Sequence, residues 1–243
     1  MPLNRAISIL VHGPSKSGKS TFASTAPAPR LIADCEGGTR FLDIKAVPWD
    51  PHKNAPPELD GTWDTAVVTL RTWDDVLMTY KWLQSGKHPF ESLVVDSISE
   101  LEASKQQDWG EILRLFMGLM RDFRDLCEHP TKPLSAVILI AMTKAGDDKL
   151  YHAHLQGQAA TTVPYLVDVQ AATHVQNWSD DQGNIQRVHR LLVGANPIYE
   201  TGERVGGRLP AFLDNPKVED ILTYVFGPKA SDEAESAPRE EAV

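Results

Sequence analysis

Compact runs of consecutive apolar, often β-branched residues recur along the chain, separated by stretches in which apolar residues fall every three or four positions. The first pattern predicts strands buried on both faces, the second amphipathic helices, and their alternation predicts a mostly parallel sheet covered by helices. Strands are expected at Ala6–His12, Arg30–Asp34, Ala66–Leu70, Ser92–Ser97 and Ala136–Ala141. Two more are expected at Leu166–Val175 and Val188–Val193, forming an antiparallel extension toward the C-terminus. Helices are expected after Ser20, over Asp74–Leu83 (ended by Gly86), over Glu100–Leu126 with a break near Trp109-Gly110, and over Lys217–Phe226. The stripe Ile112, Leu115, Phe116, Leu119, Met120, Phe123 and Leu126 reads as core. Ala26-Pro27-Ala28-Pro29 is a rigid connector, Ala46–Asp64 a long surface loop, and Lys144–Pro164 a polar, irregular stretch.

The 243 residues, 42% hydrophobic and 23% charged, suit one soluble α/β domain. No apolar run is long enough to cross a bilayer and no signal-peptide pattern opens the chain, so a cytoplasmic protein with no membrane contact is expected. Two cysteines, Cys35 and Cys127, provide neither a disulfide framework nor metal-ligand spacing. The net charge of −9 limits nucleic-acid contact to a local patch. Over Ala230–Val243 there is no apolar periodicity, and Asp232, Glu233, Glu235, Glu240 and Glu241 face only Arg239. Residues 1–227 are therefore read as the folded core and 228–243 as a disordered acidic tail, serving solubility or competing for a DNA-binding surface.

Gly13-Pro14-Ser15-Lys16-Ser17-Gly18-Lys19-Ser20 fits G-x-x-x-x-G-K-[ST] between a strand and a helix. In that setting the loop wraps a polyphosphate, with the backbone N–H groups of Gly13 and of Ser15 to Thr21 converging on it and Pro14 shaping the turn, Lys19 reaches the β- and γ-phosphates, and the Ser20 hydroxyl binds Mg²⁺. Two acidic positions extend this chemistry. Asp96 ends Leu93-Val94-Val95 and would help hold the Mg²⁺; the competing role is a helix cap. In Asp34-Cys35-Glu36, Glu36 would polarise the water attacking the γ-phosphate, with Asp34 as its competitor and a plain acidic turn as the structural alternative. Thr143, beyond the Ala136 strand, can donate a hydroxyl to the γ-phosphate or the lytic water.

This layout resembles the RecA-type core of P-loop ATPases, and more closely the phage-encoded, core-only RecA-like ATPases described as single-strand-annealing or recombination proteins. The likeness rests on the octapeptide, D-C-E at 34–36 and L-V-V-D-S at 93–97. Weaker support comes from Gln107-Asp108-Trp109-Gly110, from Tyr199-Glu200-Thr201-Gly202-Glu203-Arg204, and from Arg208-Leu209-Pro210. It covers residues 5–226 and implies an ATP- and Mg²⁺-dependent, DNA-stimulated ATPase that binds single-stranded DNA, promotes annealing or strand exchange, and works as a ring or filament. A single-strand-binding protein is an implied partner. The resemblance also implies an arginine reaching a neighbouring subunit's γ-phosphate, with Arg204 the first candidate and Arg208 the second. Here the chain departs from the pattern, carrying Gly202 where a lysine is usual.

By position, the resemblance implies DNA-facing loops at Ile98–Asp108 and Lys144–Pro164. The second holds Lys144, Lys149, His152, His154, Gln156, Gln158 and a stacking candidate in Tyr151, opposed by Asp147 and Asp148. His152, His154 and His174 also raise a metal site, for which an H-x-H spacing alone is weak. Two rivals remain: a small-molecule kinase, which would need an arginine-rich lid, and a nucleotide-gated assembly module with little turnover.

Overall fold

The computed structural model describes residues 4–103, 109–179 and 185–228. Seven parallel strands form the body of one sheet in the order β3 (Ala46–Pro48), β4 (Thr65–Thr69), β2 (Arg30–Asp34), β5 (Ser92–Asp96), β6 (Ala136–Ala141), β1 (Ile7–His12) and β9 (Val169–Ser179). Beyond β9 the sheet continues antiparallel through β10 (Ile185–Leu192) and β12 (Phe212–Asp214), and β11 (Gly202–Glu203) also pairs antiparallel with β9. This mostly parallel sheet with flanking helices and an antiparallel edge is the architecture of a P-loop NTPase core.

The central strands β1, β2, β5 and β6 are buried and largely apolar because both faces are covered. Their side chains alternate between two cores. Leu10, Leu31, Ala33, Leu93, Val95, Val137 and Leu139 face α2 (Trp73–Gln84), α3 (Ile98–Ala103), α4 (Trp109–Asp125) and α5 (Ala159–Leu166). Ile9, Val11, Ile32, Val94, Ile138 and Ile140 face α1 (Lys19–Ala23) and α6 (Val218–Phe226). On α4, Phe116, Leu119, Met120 and Phe123 are buried as the stripe predicts, whereas Leu115 is 51% exposed. Emptying the Phe116 or Phe123 site with alanine would cost about 3–5 kcal/mol. Thr72 caps α2 through a capping box with Asp75, which explains its abrupt start.

Three expectations shift. The loop at 46–64 opens with β3, because Ala46-Val47-Pro48 extends the sheet beside β4. The polar stretch after β6 is ordered: β7 (Thr143–Ala145) and β8 (Tyr151–Ala153) form a hairpin, and α5 follows despite Pro164 inside it. Leu166 therefore ends a helix, and the strand begins only at Val169. Gln107-Asp108, the end of the 98–108 loop, and the tail from residue 229 lie outside the described residues.

No helix among the described residues is long and apolar enough to cross a membrane.

Candidate active site

Parallel strands deliver their C-terminal ends to one edge, and the order here groups four of them. β1 feeds the glycine loop, β6 lies between β1 and β5, and β2 flanks β5 with Asp34 in register with Asp96. An open cleft of about 590 Å³ runs along this edge, lined by the loop together with Glu36, Asp96 and Thr143.

The loop bends where its backbone demands it. Gly18 has φ +97, and a Cβ there would lie 2.6 Å from Nδ1 of His189; at Gly13 (φ +153) a Cβ would lie 2.4 Å from Thr173 Oγ1. Lys16 also takes a positive φ of 62. Such a bend turns successive N–H groups inward, which is how a backbone nest receives an anion. The Ser17 hydroxyl donates to Pro14 O at 2.7 Å and contacts Thr173 Oγ1 at 2.6 Å, pinning the loop to β9. Lys19 Nζ donates to Gly13 O (2.9 Å) and Pro14 O (2.8 Å). Burial pulls the Lys19 pKa down, while Asp96 and Glu36 oppose that shift.

The acidic residues divide by geometry. Asp34, 4% exposed, accepts the N–H groups of Glu36 (3.0 Å) and Gly37 (2.7 Å) through Oδ1 and of Thr39 (3.1 Å) through Oδ2. Both its oxygens hold the turn that carries Glu36. Glu36 is exposed, and its Oε1 accepts from the Ser97 hydroxyl at 2.5 Å. Asp96 Oδ2 accepts from the Ser20 hydroxyl at 2.5 Å. Burial pushes Asp96 up to about 6, with Glu36 and Asp34 adding repulsion and the Ser20 bond opposing it. The same burial and negative surroundings raise the Cys35 thiol to about 12, leaving it unreactive.

Thr143 is half-buried on the cleft wall. Its hydroxyl donates to His152 O at 3.0 Å and lies 3.2 Å from Nδ1 of the fully buried His12. The other His12 nitrogen contacts Glu200 O at 2.8 Å. Burial lowers the His12 pKa, so the ring is neutral, Nε2–H donates to Glu200, and Nδ1 competes for the Thr143 proton.

Arg204 is not brought to this cleft. It pairs with Asp168 at 2.7 Å, and Asp168 binds Ser8 near the start of β1, at the opposite end of the strand from the loop. Arg208 donates to Val225 O. His152 bonds Asp148 and Glu200, and Tyr151 packs on Tyr199 at 5.5 Å.

Sequence reading missed Arg187 and His189, which line the cleft from β10. Arg187 donates to Lys16 O at 3.3 Å, and His189 Nδ1 lies 3.2 Å from Ser17 O. The i, i+2 spacing of Arg187, His189 and Leu191 carried the signal, but a strand taken to start at Val188 left Arg187 outside it.

The donor set suits the groups that the motif implies. A glycine-bent loop lining the cleft, a lysine within it and a hydroxyl–carboxylate oxygen pair match a triphosphate with a hard, oxygen-seeking divalent cation. A family model described as AAA domain matches residues 5–205. No curated protein matches the chain.

Proposed function

Because the chain belongs to the AAA-domain family, whose members are P-loop ATPases, we propose that it is an ATP hydrolase using Mg²⁺ and coupled to single-stranded DNA. The observation that carries hydrolysis is the convergence on one sheet edge of the glycine loop, the Ser20–Asp96 pair and an exposed, oriented Glu36. In this reading the N–H groups of Gly13 and of Ser15 to Thr21, together with the Lys19 ammonium, hold the phosphates. Lys19 exchanges its two carbonyl contacts for phosphate oxygens. Ser20 and Asp96 hold the Mg²⁺, which when bound neutralises charge on the β- and γ-oxygens. Glu36, held by the Asp34 turn and by Ser97, orients the water and takes up its proton as it attacks. Thr143 donates to the γ-phosphate or the water, and Arg187 adds a second cationic group to the same wall.

The DNA part, with annealing or strand exchange in a phage-type RecA-like setting, rests on the resemblance in the motifs. It gains support from the β7–β8 hairpin, which begins at Thr143 and presents Lys144, Lys149 and Tyr151. A ring or filament would give Arg204, 54% exposed and remote from its own loop, a neighbour's triphosphate to reach.

The test is turnover of the full chain with Mg²⁺, with and without single-stranded DNA, alongside Lys19→Ala and Glu36→Gln and with oligomer size measured on the same samples. Lys19→Ala should lose nucleotide binding while staying folded. Glu36→Gln should bind ATP and turn over about 10²–10⁴ times slower. Unchanged turnover in Glu36→Gln refutes its role. Rates indifferent to DNA refute the coupling, and nucleotide-dependent assembly without turnover favours the gated module.

A further inference from the structure

His12 ends β1 directly ahead of Gly13, is fully buried, and has no part in the chemistry assigned to the cleft. Its contacts fix its tautomer. Glu200 O lies 2.8 Å from Nε2, and a carbonyl oxygen can only accept, so the ring proton sits on Nε2. Nδ1 is then a bare lone pair in the core, 3.2 Å from Thr143 Oγ1. The Thr143 hydroxyl has one proton, for which His12 Nδ1 and His152 O (3.0 Å) compete. A γ-phosphate oxygen in the cleft that Thr143 lines would be a third acceptor, and a charged one.

The same contacts tie the glycine loop to the β7–β8 hairpin. His152 lies on β8, and its Nδ1 bonds Glu200 Oε2 at 2.9 Å. Gln170 on β9 donates to that oxygen at 3.0 Å. The Tyr151 N–H donates to Ile198 O (2.7 Å), and the Glu200 N–H donates to Tyr151 O (2.9 Å). Tyr199 sets its ring edge-on to His12 at 6.1 Å and packs on Tyr151 at 5.5 Å. His12, Glu200, His152 and Thr143 thus form a closed circuit of hydrogen bonds between the strand that feeds the phosphate loop and the outer hairpin.

We infer that His12 is a positioning residue that fastens the β7–β8 hairpin to the glycine loop and releases it when a γ-phosphate takes the Thr143 proton. This rests on the reading of Thr143 as a donor to the γ-phosphate and extends it to the hairpin that presents Lys149 and Tyr151. Once Thr143 donates into the cleft, His152 O and His12 Nδ1 both lose that donor. Burial denies His12 Nδ1 a water in exchange, so the circuit opens at Thr143. ADP, which lacks the γ-phosphate, leaves it closed. Loss of one hydrogen bond of ordinary net strength shifts an opening equilibrium about two- to tenfold.

The experiment is amide hydrogen exchange of the full chain with Mg²⁺ and either ATPγS or ADP, with binding followed by calorimetry on the same samples. Exchange at Tyr151 and Glu200 about two- to tenfold faster with ATPγS than with ADP is the expected result. The difference should vanish in Thr143→Val, which removes the shared proton, and in His12→Phe, which removes both ring nitrogens. It should return in His12→Gln, whose amide supplies one donor and one acceptor in their place. Equal exchange with bound ATPγS and bound ADP overturns the inference and leaves the phosphate reading standing. A difference that survives in Thr143→Val or in His12→Phe overturns the circuit. If His12→Phe does not fold, His12→Gln decides: the native difference supports the donor–acceptor role, and its loss overturns it. Failure of either nucleotide to bind the native chain overturns the phosphate reading and this inference with it.

Discussion

Asp34 and Glu36 stand two residues apart, and replacing each by its amide separates anchor from base. In Asp34→Asn one oxygen remains to accept the Glu36 and Gly37 N–H groups. The new amide NH₂ opposes the Thr39 N–H, which Oδ2 accepts at 3.1 Å in the native turn. A hydrogen bond to a charged group contributes about 1.5–3 kcal/mol, and a buried donor left unpaired costs about 1–3 kcal/mol. With Asp34 only 4% exposed, solvent gives little relief. The expected loss is about 3–5 kcal/mol, a large part of the roughly 5–15 kcal/mol that typically stabilises a domain. Turnover should fall too, because the turn that aims Glu36 loosens. Glu36→Gln, at an exposed position whose described side-chain bond is to Ser97, should leave stability within about 0.5 kcal/mol while slowing hydrolysis. Urea unfolding and single-turnover hydrolysis on the same three proteins make the comparison. If Asp34→Asn is as stable as the native chain yet inactive, and Glu36→Gln turns over normally, the roles are reversed and the argument fails.

Gly18→Ala should weaken nucleotide binding and destabilise the loop by about 1–2 kcal/mol, because the methyl meets the His189 ring from a backbone at φ +97. Calorimetry showing native affinity would contradict this. His88, buried and stacked on Phe90 at 5.5 Å, has its pKa pushed down to about 4 by that burial, with Lys132 adding to it. The folded ring stays neutral while the unfolded one takes a proton below about 6.5, so stability present above that pH is lost as pH falls toward 4. Melting temperatures at pH 7 and 4.5 should differ less for His88→Phe than for the native chain, and an equal drop in both would sink the assignment. Truncation after Gly227 should leave the core folded and, if the acidic residues compete with DNA, tighten single-strand binding most at low salt. Unchanged affinity makes that segment a bystander.

Much of the site was legible because its signals are local. A phosphate loop is one contiguous octapeptide, and Asp96 and Glu36 announce themselves by following apolar runs whose C-terminal ends must share an edge in a parallel sheet. The buried strands and the α4 stripe follow from periodicity alone, since covered faces require apolar side chains at fixed spacing. Which acid anchors and which faces the cleft was not legible. That choice depends on where three backbone N–H groups point once the chain turns at Gly37.

Pairings across long separations lay further out of reach. Ser17 meets Thr173, and Arg187 reaches Lys16, across more than 150 positions, through a strand order that periodicity does not encode. Arg204 shows the converse, since four residues after Glu200, whose carbonyl meets His12 at the loop end of β1, the chain has run back along β9 to Asp168 near the start of that strand. The amino-acid order thus determined the loop, the strands and the edge on which the chemistry gathers. Only tertiary packing decided which side chains from distant segments share that edge, because crossover order and register arise from burying both sheet faces at once.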